Sequence, residues 1–213
     1  MKSYNAREAY QNTSVAERYE KVRFSSFMGK FVDYLEKKTV INILKQHSND
    51  IETILDLPCG TGRITKVLIE SGFKVVDADI SRDMINVSKK GIEVGKINSV
   101  VCDAEALPFR DNSFDCIVSI RFTGHVPPQL RVGILNEMRR VTKKWIVISY
   151  YNPYSVKGFL RGIMTMIRGN KGAWYPITPS NLKEELKRAN LSLIDVKPIL
   201  GTIAETYMVL LSR

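Results

Sequence analysis

The sequence is poor in cysteine and histidine and has no long apolar run. The three cysteines, Cys59, Cys102 and Cys116, lie in or beside predicted strands without metal-ligand spacing, so we expect reduced thiols and no zinc site. No stretch approaches the roughly 18 apolar residues that a transmembrane helix needs, and the first residues lack the apolar core of a signal peptide. We therefore expect a cytoplasmic protein.

Acids are scarce in one part of the chain. Residues 121–173 contain ten bases and one acid, and this excess of nine is nearly the whole net charge of +10. Positive charge concentrated in one region can steer an anionic partner, and the alternative is a solvated basic face without a partner. Neither a separate basic tail nor an appended RNA-binding module is visible, which disfavours a nucleic-acid partner.

A glycine-rich turn organises the first half of the chain. Residues 53–65 begin with a short apolar run and continue with apolar residues at helical spacing, so the predicted order is strand, turn, helix. Gly60 and Gly62 allow a ligand to lie against the backbone, and the helix N-terminus offers it unpaired N–H groups. A dinucleotide site would have a third glycine where Thr65 stands, which weakens a dehydrogenase interpretation.

An acid precedes this turn at the end of the predicted strand. Asp56, followed by the CGTG sequence at residues 59–62, resembles the first motif of the class I methyltransferases that use S-adenosylmethionine. The resemblance implies that acid, turn and helix start surround the methionine part of that cofactor. The motif usually has glycine where this chain has a proline, which stiffens the loop entry. The cofactor-binding candidates here are Asp56, Pro58, Cys59, Gly60, Thr61 and Gly62. The alternative is that this segment is a glycine-rich turn of another kind of α/β protein.

A second acid closes the next predicted strand. Asp79 lies 19 residues after Gly60, the spacing at which an acid reaches the ribose hydroxyls of a nucleotide bound at the turn. Asp77 points the same way but lies inside the strand. The family has its ribose-binding acid and the next apolar residue where Asp79 and Ile80 stand, and Met84 on the following helix is a further cofactor candidate.

A third acid follows the third predicted strand. The run that begins Asp103-Ala104-Glu105 resembles the family's adenine-binding loop, in which the acid accepts a hydrogen bond from the exocyclic amine and the next backbone N–H meets the ring. Asp56, Asp79 and Asp103 would then project from the carboxyl edge of one parallel sheet, where open α/β sheets bind ligands. Each acid alone is also compatible with a loop-capping role.

Length and pattern predict one α/β domain over residues 1–213. The chain has 213 residues and 44% hydrophobic content, enough for one full core. Further predicted elements are a helix over 27–47, a strand from Phe114, a helix opened by Pro127-Pro128, a strand at 145–151, a helix at 179–190, and strands near 191–199 and 206–211. The resemblance implies a Rossmann-like three-layer sandwich. Its mostly parallel seven-stranded sheet has the order 3-2-1-4-5-7-6 and an antiparallel last strand.

Residues 1–47 are predicted to form a flap and a helix. The polar segment before the helix looks like the flap that closes over cofactor and acceptor in many small-molecule methyltransferases. Tyr10, Tyr19 and Arg23 are therefore candidates to cover the site or to hold the cofactor carboxylate. The alternative is that the tyrosines only cover apolar surface.

The implied chemistry asks the protein mainly for alignment. The sulfonium already activates the methyl group, so the enzyme holds an acceptor lone pair behind it in a water-poor site without a metal. An acceptor hydroxyl would also need a base. His125, one of two histidines, and Arg121 follow the fourth strand and are predicted beside the transferred group. His125 is also compatible with merely satisfying a loop carbonyl.

Methyl transfer to oxygen or nitrogen of a small-molecule or lipid-linked acceptor is therefore the predicted function. Nucleic-acid methylation is the first alternative, encouraged by a pI near 9.5. The run Asn152-Pro153-Tyr154 also resembles the Asn-Pro-Pro-Tyr signature of amino-group methylases. That signature belongs after the fourth strand, however, and Asn152 follows the fifth. A cofactor-binding regulator without catalysis is the second alternative.

Residues 152–176 form an insert after the fifth strand. Within it, residues 155–169 carry apolar side chains at three- and four-residue steps, with Lys157, Arg161 and Arg168 outside that stripe. This basic amphipathic helix is compatible with a lid over the acceptor, an interfacial helix on anionic lipid, or a core helix. We expect a lid that faces an amphiphilic or anionic acceptor, because the stripe and the basic region coincide.

Overall fold

One seven-stranded sheet forms the centre of the computed structural model, which describes residues 26–92, 97–168, 174–201 and 203–213. The strands are β1 (Thr53–Asp56), β2 (Lys74–Asp79), β3 (Asn98–Val101), β4 (Phe114–Ser119), β5 (Thr142–Tyr151), β6 (Ser192–Pro198) and β7 (Thr206–Ser212). Their order is β3-β2-β1-β4-β5-β7-β6. The first five are parallel, and β7 runs antiparallel to both neighbours. The predicted strand order and antiparallel β7 are confirmed.

Helices flank the sheet. Within the described residues they are α1 (Phe27–Gln46), α2 (Arg63–Glu70), α3 (Arg82–Lys90), α4 (Pro128–Val141), α5 (Val156–Arg168) and α6 (Pro179–Arg188). Ser26, Ser81 and Thr178 cap α1, α3 and α6 through their hydroxyls, and Pro128 occupies the first turn of α4 as expected. None of the helices in this part of the chain is both long and apolar enough to cross a bilayer.

The sheet separates two buried cores. Successive side chains of a strand point to opposite faces, so Ile54 of β1 packs with α1 and α2, and Leu55 packs with α4 and α6. The central parallel strands are therefore apolar on both faces, as such strands usually are. Polar and ionisable side chains collect where the strands end, and this places the candidate site at the carboxyl edge.

Strand β5 begins earlier than the predicted Trp145. Thr142 directly follows α4 and already pairs with the start of β4, beside a bulge. Two exposed lysines hid this start in the sequence because they break the apolar run. Lys143 and Lys144 instead reach outward to Asp115 and Asp50, at 2.8 and 2.7 Å.

Helix α5 turns its apolar stripe to solvent. Phe159 is 63% exposed and Leu160 is 56% exposed, where a core helix would bury both. The apolar residues of α5 with more than a third of their surface exposed are Val156, Phe159, Leu160, Ile163, Met164 and Met166. The alternative of an ordinary core helix is therefore wrong, the lid stays a prediction, and this apolar face has no partner among the residues that the structure describes.

Candidate active site

Two left-handed glycines shape the turn between β1 and α2. Gly60 has φ of +56° and Gly62 has φ of +80°, a region that glycine enters without a Cβ penalty. A Cβ on Gly60 would face open space, so a ligand can approach that backbone. A Cβ on Gly62 would overlap the hydroxyl of Ser88 on α3. Gly60 therefore serves ligand access, whereas Gly62 serves packing.

Asp56 lies buried at the end of β1. Its Oδ2 accepts a hydrogen bond of 2.6 Å from the hydroxyl of Thr65 on α2. Thr65 stands at the position of the third glycine in a dinucleotide motif, and here that position anchors the acid instead. Burial raises the pKa of Asp56 to about 7, opposed by the Thr65 hydrogen bond and reinforced by the neighbouring Asp77.

Asp56 should make stability depend on pH. Its pKa is raised from 3.8 to about 7 in the folded protein, so between these values the folded state holds a proton that the unfolded state has lost. The contribution of Asp56 to the free energy of unfolding is therefore greatest below pH ~4. It falls by up to ~1.4 kcal/mol per pH unit as the pH rises to ~7. Asp56→Asn should flatten that slope in denaturant unfolding across this window. An unchanged slope would contradict the assignment.

Asp79 joins the glycine turn to α3. Its Oδ2 accepts from the Gly60 N–H at 2.9 Å and its Oδ1 accepts from the Ser81 N–H at 2.8 Å. Burial raises the pKa of the Asp79 carboxyl. The competing Asp77 lies deeper and accepts from the Ser88 hydroxyl at 2.7 Å. Asp79 is thus the acid that contacts the ligand-facing turn, and its ribose-binding role stays a prediction.

Asp103 begins the loop after β3. Its Oδ1 accepts from the Glu105 N–H at 3.1 Å, and its carbonyl accepts from the Ala106 N–H at 3.0 Å. Ala104 is buried against the core that contains α4 and α6. Asp103 therefore does cap its own loop, and the adenine contact of this loop stays a prediction.

The remaining predicted cofactor residues fall into three groups. Cys59 and Met84 are buried, and Pro58, Thr61 and Ile80 are partly exposed around the same turn. All three cysteines are free thiols. The flap candidates Tyr10, Tyr19 and Arg23 lie outside the described residues.

Arg121 is held by a buried acid that sequence reasoning missed. Its Nε donates to Oε2 of Glu36 on α1 at 2.9 Å, its Nη2 lies 2.8 Å from Glu36 Oε1 as an ion pair, and Glu36 is fully buried. Arg63, the first residue of α2, lies 3.2 Å from Glu36 and 2.6 Å from Asp33. The Arg121 backbone has φ of +59°, and its N–H donates to Ser149 Oγ at 2.6 Å. These contacts join α1 to the site edge, and a catalytic role for Arg121 stays a prediction.

His125 pairs with a tyrosine that also went unnoticed. It ends a 3₁₀ turn, Thr123–His125, and its Nε2 lies 3.2 Å from the hydroxyl of buried Tyr151. A Cβ on Gly124 would overlap the Tyr151 ring, so glycine permits this close packing. Tyr151 looked like one more apolar strand residue, and only the glycine before His125 could have hinted at the contact.

Ion pairs neutralise much of the positive charge that the sequence concentrates in residues 121–173. Within the described part of the chain, seven of the bases between residues 121 and 168 form ion pairs, mostly with acids from other segments. They are Arg121, Arg131, Arg140, Lys143, Lys144, Lys157 and Arg161. The basic segment is therefore not one continuous unpaired surface.

The fold and the site define a class of protein. A seven-stranded sheet with antiparallel β7, and a glycine turn with three acids at its carboxyl edge, characterise the class I methyltransferases. Residues 54–145 match the family described as Methyltransferase domain. The chain is an S-adenosylmethionine-dependent methyltransferase of this class.

The chain is similar to methyltransferases that are named for different molecules. The chain is 26% identical to the ubiquinone biosynthesis O-methyltransferase of Rickettsia bellii, over 93% of this chain and 90% of that protein. It is 42% identical to the ubiquinone/menaquinone biosynthesis C-methyltransferase UbiE of Escherichia coli, over 31% and 29% of the two chains. The crystal structure of magnesium protoporphyrin IX methyltransferase from Synechocystis, with bound SAH, shares the fold. Its TM-score is 0.78 at 14% identity, over 98% of this chain and 97% of that one.

The residues at the carboxyl edge fit S-adenosylmethionine. The open space at Gly60 leaves room against the backbone, and Gly62 precedes α2 as an N-cap residue without a side chain, so the first N–H groups of the helix suit an anionic group. When bound, the cofactor supplies a methyl group already activated by a sulfonium. Asp56, Gly60 and Asp79 are the described residues that would line it, with Asp103 at the end of the neighbouring strand.

Proposed function

We propose that the protein transfers methyl to oxygen or nitrogen of a small, hydrophobic acceptor held beside His125. The observation that carries this proposal is the His125–Tyr151 pair at the carboxyl ends of β4 and β5, on the same sheet edge as the glycine turn. The similarity to a protein named for ubiquinone biosynthesis, which spans nearly the whole chain, supports a small acceptor with an apolar part.

The imidazole of His125 is a group at this edge that could take a proton from an acceptor hydroxyl. We expect His125→Ala to lower kcat by about 10²- to 10⁴-fold, the usual range for a lost general base, with cofactor affinity nearly unchanged. His47→Ala is the matched control, because His47 packs against Trp145, with ring centroids 4.4 Å apart, after the C-terminus of α1. Full activity of the His125 variant would remove histidine from the mechanism.

The acceptor class can be found with labelled cofactor. Extract fractions incubated with the enzyme and S-adenosylmethionine carrying a labelled methyl should yield an organic-soluble product. A labelled RNA band would instead favour nucleic-acid methylation over methylation of a small molecule.

Helix α5 is proposed to rest on an anionic lipid surface and to bring a lipid-linked acceptor to the site. It follows the carboxyl end of β5, so it lies at the site edge. It is anchored to the segment before β7, where the Lys157 N–H donates to the Ile203 carbonyl at 3.4 Å and Arg161 lies 3.3 Å from Glu205. Its exposed apolar stripe meets no described partner.

Charge supports lipid as the occupant of this face. Residues 152–173 contain four bases and no acid, and buried Glu205 is the acid that the described contacts place against them. An apolar face with basic flanks enters the headgroup layer of anionic membranes. Exposed Ile203, whose carbonyl accepts from the Lys157 N–H, adds apolar surface beside α5.

Vesicle co-sedimentation tests this surface. Wild type should sediment with anionic vesicles more than with neutral ones, and Leu160→Ser should weaken retention about 30-fold, because burying a leucine contributes ~2 kcal/mol. Ile194→Ser is the control, since Ile194 is 49% exposed but lies in the middle of edge strand β6. If wild type does not sediment with anionic vesicles at low salt, the proposal that α5 rests on a lipid surface is wrong. If wild type sediments equally with neutral and anionic vesicles, charge does not contribute to the binding.

A further inference from the structure

The end of β5 holds the turn that carries His125 at three points. The Thr123 hydroxyl donates to the Ser149 carbonyl at 2.5 Å, and the Arg121 N–H donates to the Ser149 hydroxyl at 2.6 Å. The third point is the contact between the Tyr151 hydroxyl and His125 Nε2. The first two fix the backbone of the turn, and the third reaches the imidazole ring itself.

Tyr151 is itself rigidly placed. It is 1% exposed, it pairs with Thr206 of β7, and its carbonyl accepts from the Ile177 N–H at 2.9 Å. Its ring packs on Gly124 and meets the His125 ring edge to face, with centroids 5.7 Å apart. The hydroxyl therefore has one position, and the histidine ring must orient toward it.

We infer that Tyr151 is a positioning residue that directs His125 to accept a proton at Nδ1. The hydrogen bond made by one ring nitrogen decides which nitrogen carries the hydrogen. A base needs a ring nitrogen with a free lone pair, and the Tyr151 hydroxyl occupies Nε2, so we assign Nε2–H as the donor to the Tyr151 oxygen and the lone pair to Nδ1. This inference rests on the proposed role of His125 as a base.

The proton transfer is balanced for an acceptor hydroxyl. As the acceptor oxygen bonds to the methyl carbon, its proton passes to Nδ1, and the carbon–sulfur bond breaks with its electron pair left on sulfur. The resulting imidazolium keeps its Nε2–H bond to Tyr151 and then returns the extra proton to water. Tyr151 exchanges no proton, so removing its hydroxyl should weaken catalysis without abolishing it.

The test compares two adjacent tyrosines. Tyr151→Phe should lower kcat about 10- to 100-fold by loosening the ring, with KM for the cofactor unchanged. The acid limb of its kcat/KM profile should move to lower pH, because the imidazolium loses a hydrogen-bond acceptor. Tyr150→Phe removes an equally buried hydroxyl that donates to Glu185 at 3.0 Å on the other face of the sheet. Tyr150→Phe should cost stability and leave the pH profile in place.

The outcomes separate this inference from the function on which it rests. If His125→Ala loses activity while Tyr151→Phe keeps the wild-type kcat and pH profile, the positioning role is wrong and the base remains. If both tyrosine variants shift the profile equally, the effect is structural and the inference is likewise overturned. If His125→Ala is fully active, His125 is not the base, and the inference about Tyr151 loses the function on which it rests.

Discussion

Glu36→Ala should lower the free energy of unfolding by about 3–5 kcal/mol, the usual loss when one partner of a buried ion pair is removed. Glu36 is fully buried and receives both Arg121 and Arg63, so its loss leaves guanidinium charge without its acid. Arg63 retains Asp33 at 2.6 Å, which limits the damage on that side. Denaturant unfolding followed by circular dichroism measures the change.

An exposed ion pair provides the control for Glu36. Glu52 lies 2.6 Å from Lys74, but their side chains are 69% and 73% exposed, so water screens the pair and Glu52→Ala should cost far less stability than Glu36→Ala. Glu36→Gln retains the volume of the side chain and serves if the alanine variant does not fold. Equal losses in the Glu36 and Glu52 variants would show that the buried cluster does not support the fold.

Gly60→Ala should weaken cofactor binding about 10- to 100-fold while the protein still folds. The new methyl group would enter the open space where the cofactor is expected, and overpacking of this kind costs about 1–3 kcal/mol. The left-handed φ of +56° adds a strain of ~1 kcal/mol to the folded state.

Gly62→Ala is the matched variant from the same turn. Its methyl group would meet the Ser88 hydroxyl, so thermal stability should fall more than in Gly60→Ala. Thermal melts give the stability order, and calorimetry gives the cofactor affinity of whichever variants fold. A Gly60 variant with wild-type cofactor affinity would place the ligand away from this backbone.

The sheet and its functional edge were predictable because their signals are local. Asp56 and Asp79 each end an apolar strand run, and Gly60 lies between the first strand and its helix. The antiparallel β7 came from the resemblance to the class I methyltransferases, and the brief connection around Gly201 agrees with it.

The supporting contacts were not predictable because their partners are distant in sequence. Glu36 looked like part of the solvated face of an amphipathic helix, and its partner Arg121 lies on another element. Tyr151 satisfied an apolar strand pattern, which conceals a hydroxyl aimed at a histidine. Periodicity identifies which face of an element is buried, but not what that face meets.

Calorimetric titration of S-adenosylmethionine tests the central claim, a cofactor site at the carboxyl edge. Wild type should bind the cofactor and its demethylated product, and it should bind both more tightly than NAD. Asp79→Ala should weaken both, because it removes the oxygens that hold the Gly60 and Ser81 N–H groups. Glu52→Gln, just before β1 at the opposite edge, should bind like wild type. Equal cofactor affinity in wild type and Asp79→Ala, or tighter binding of NAD, would contradict the account.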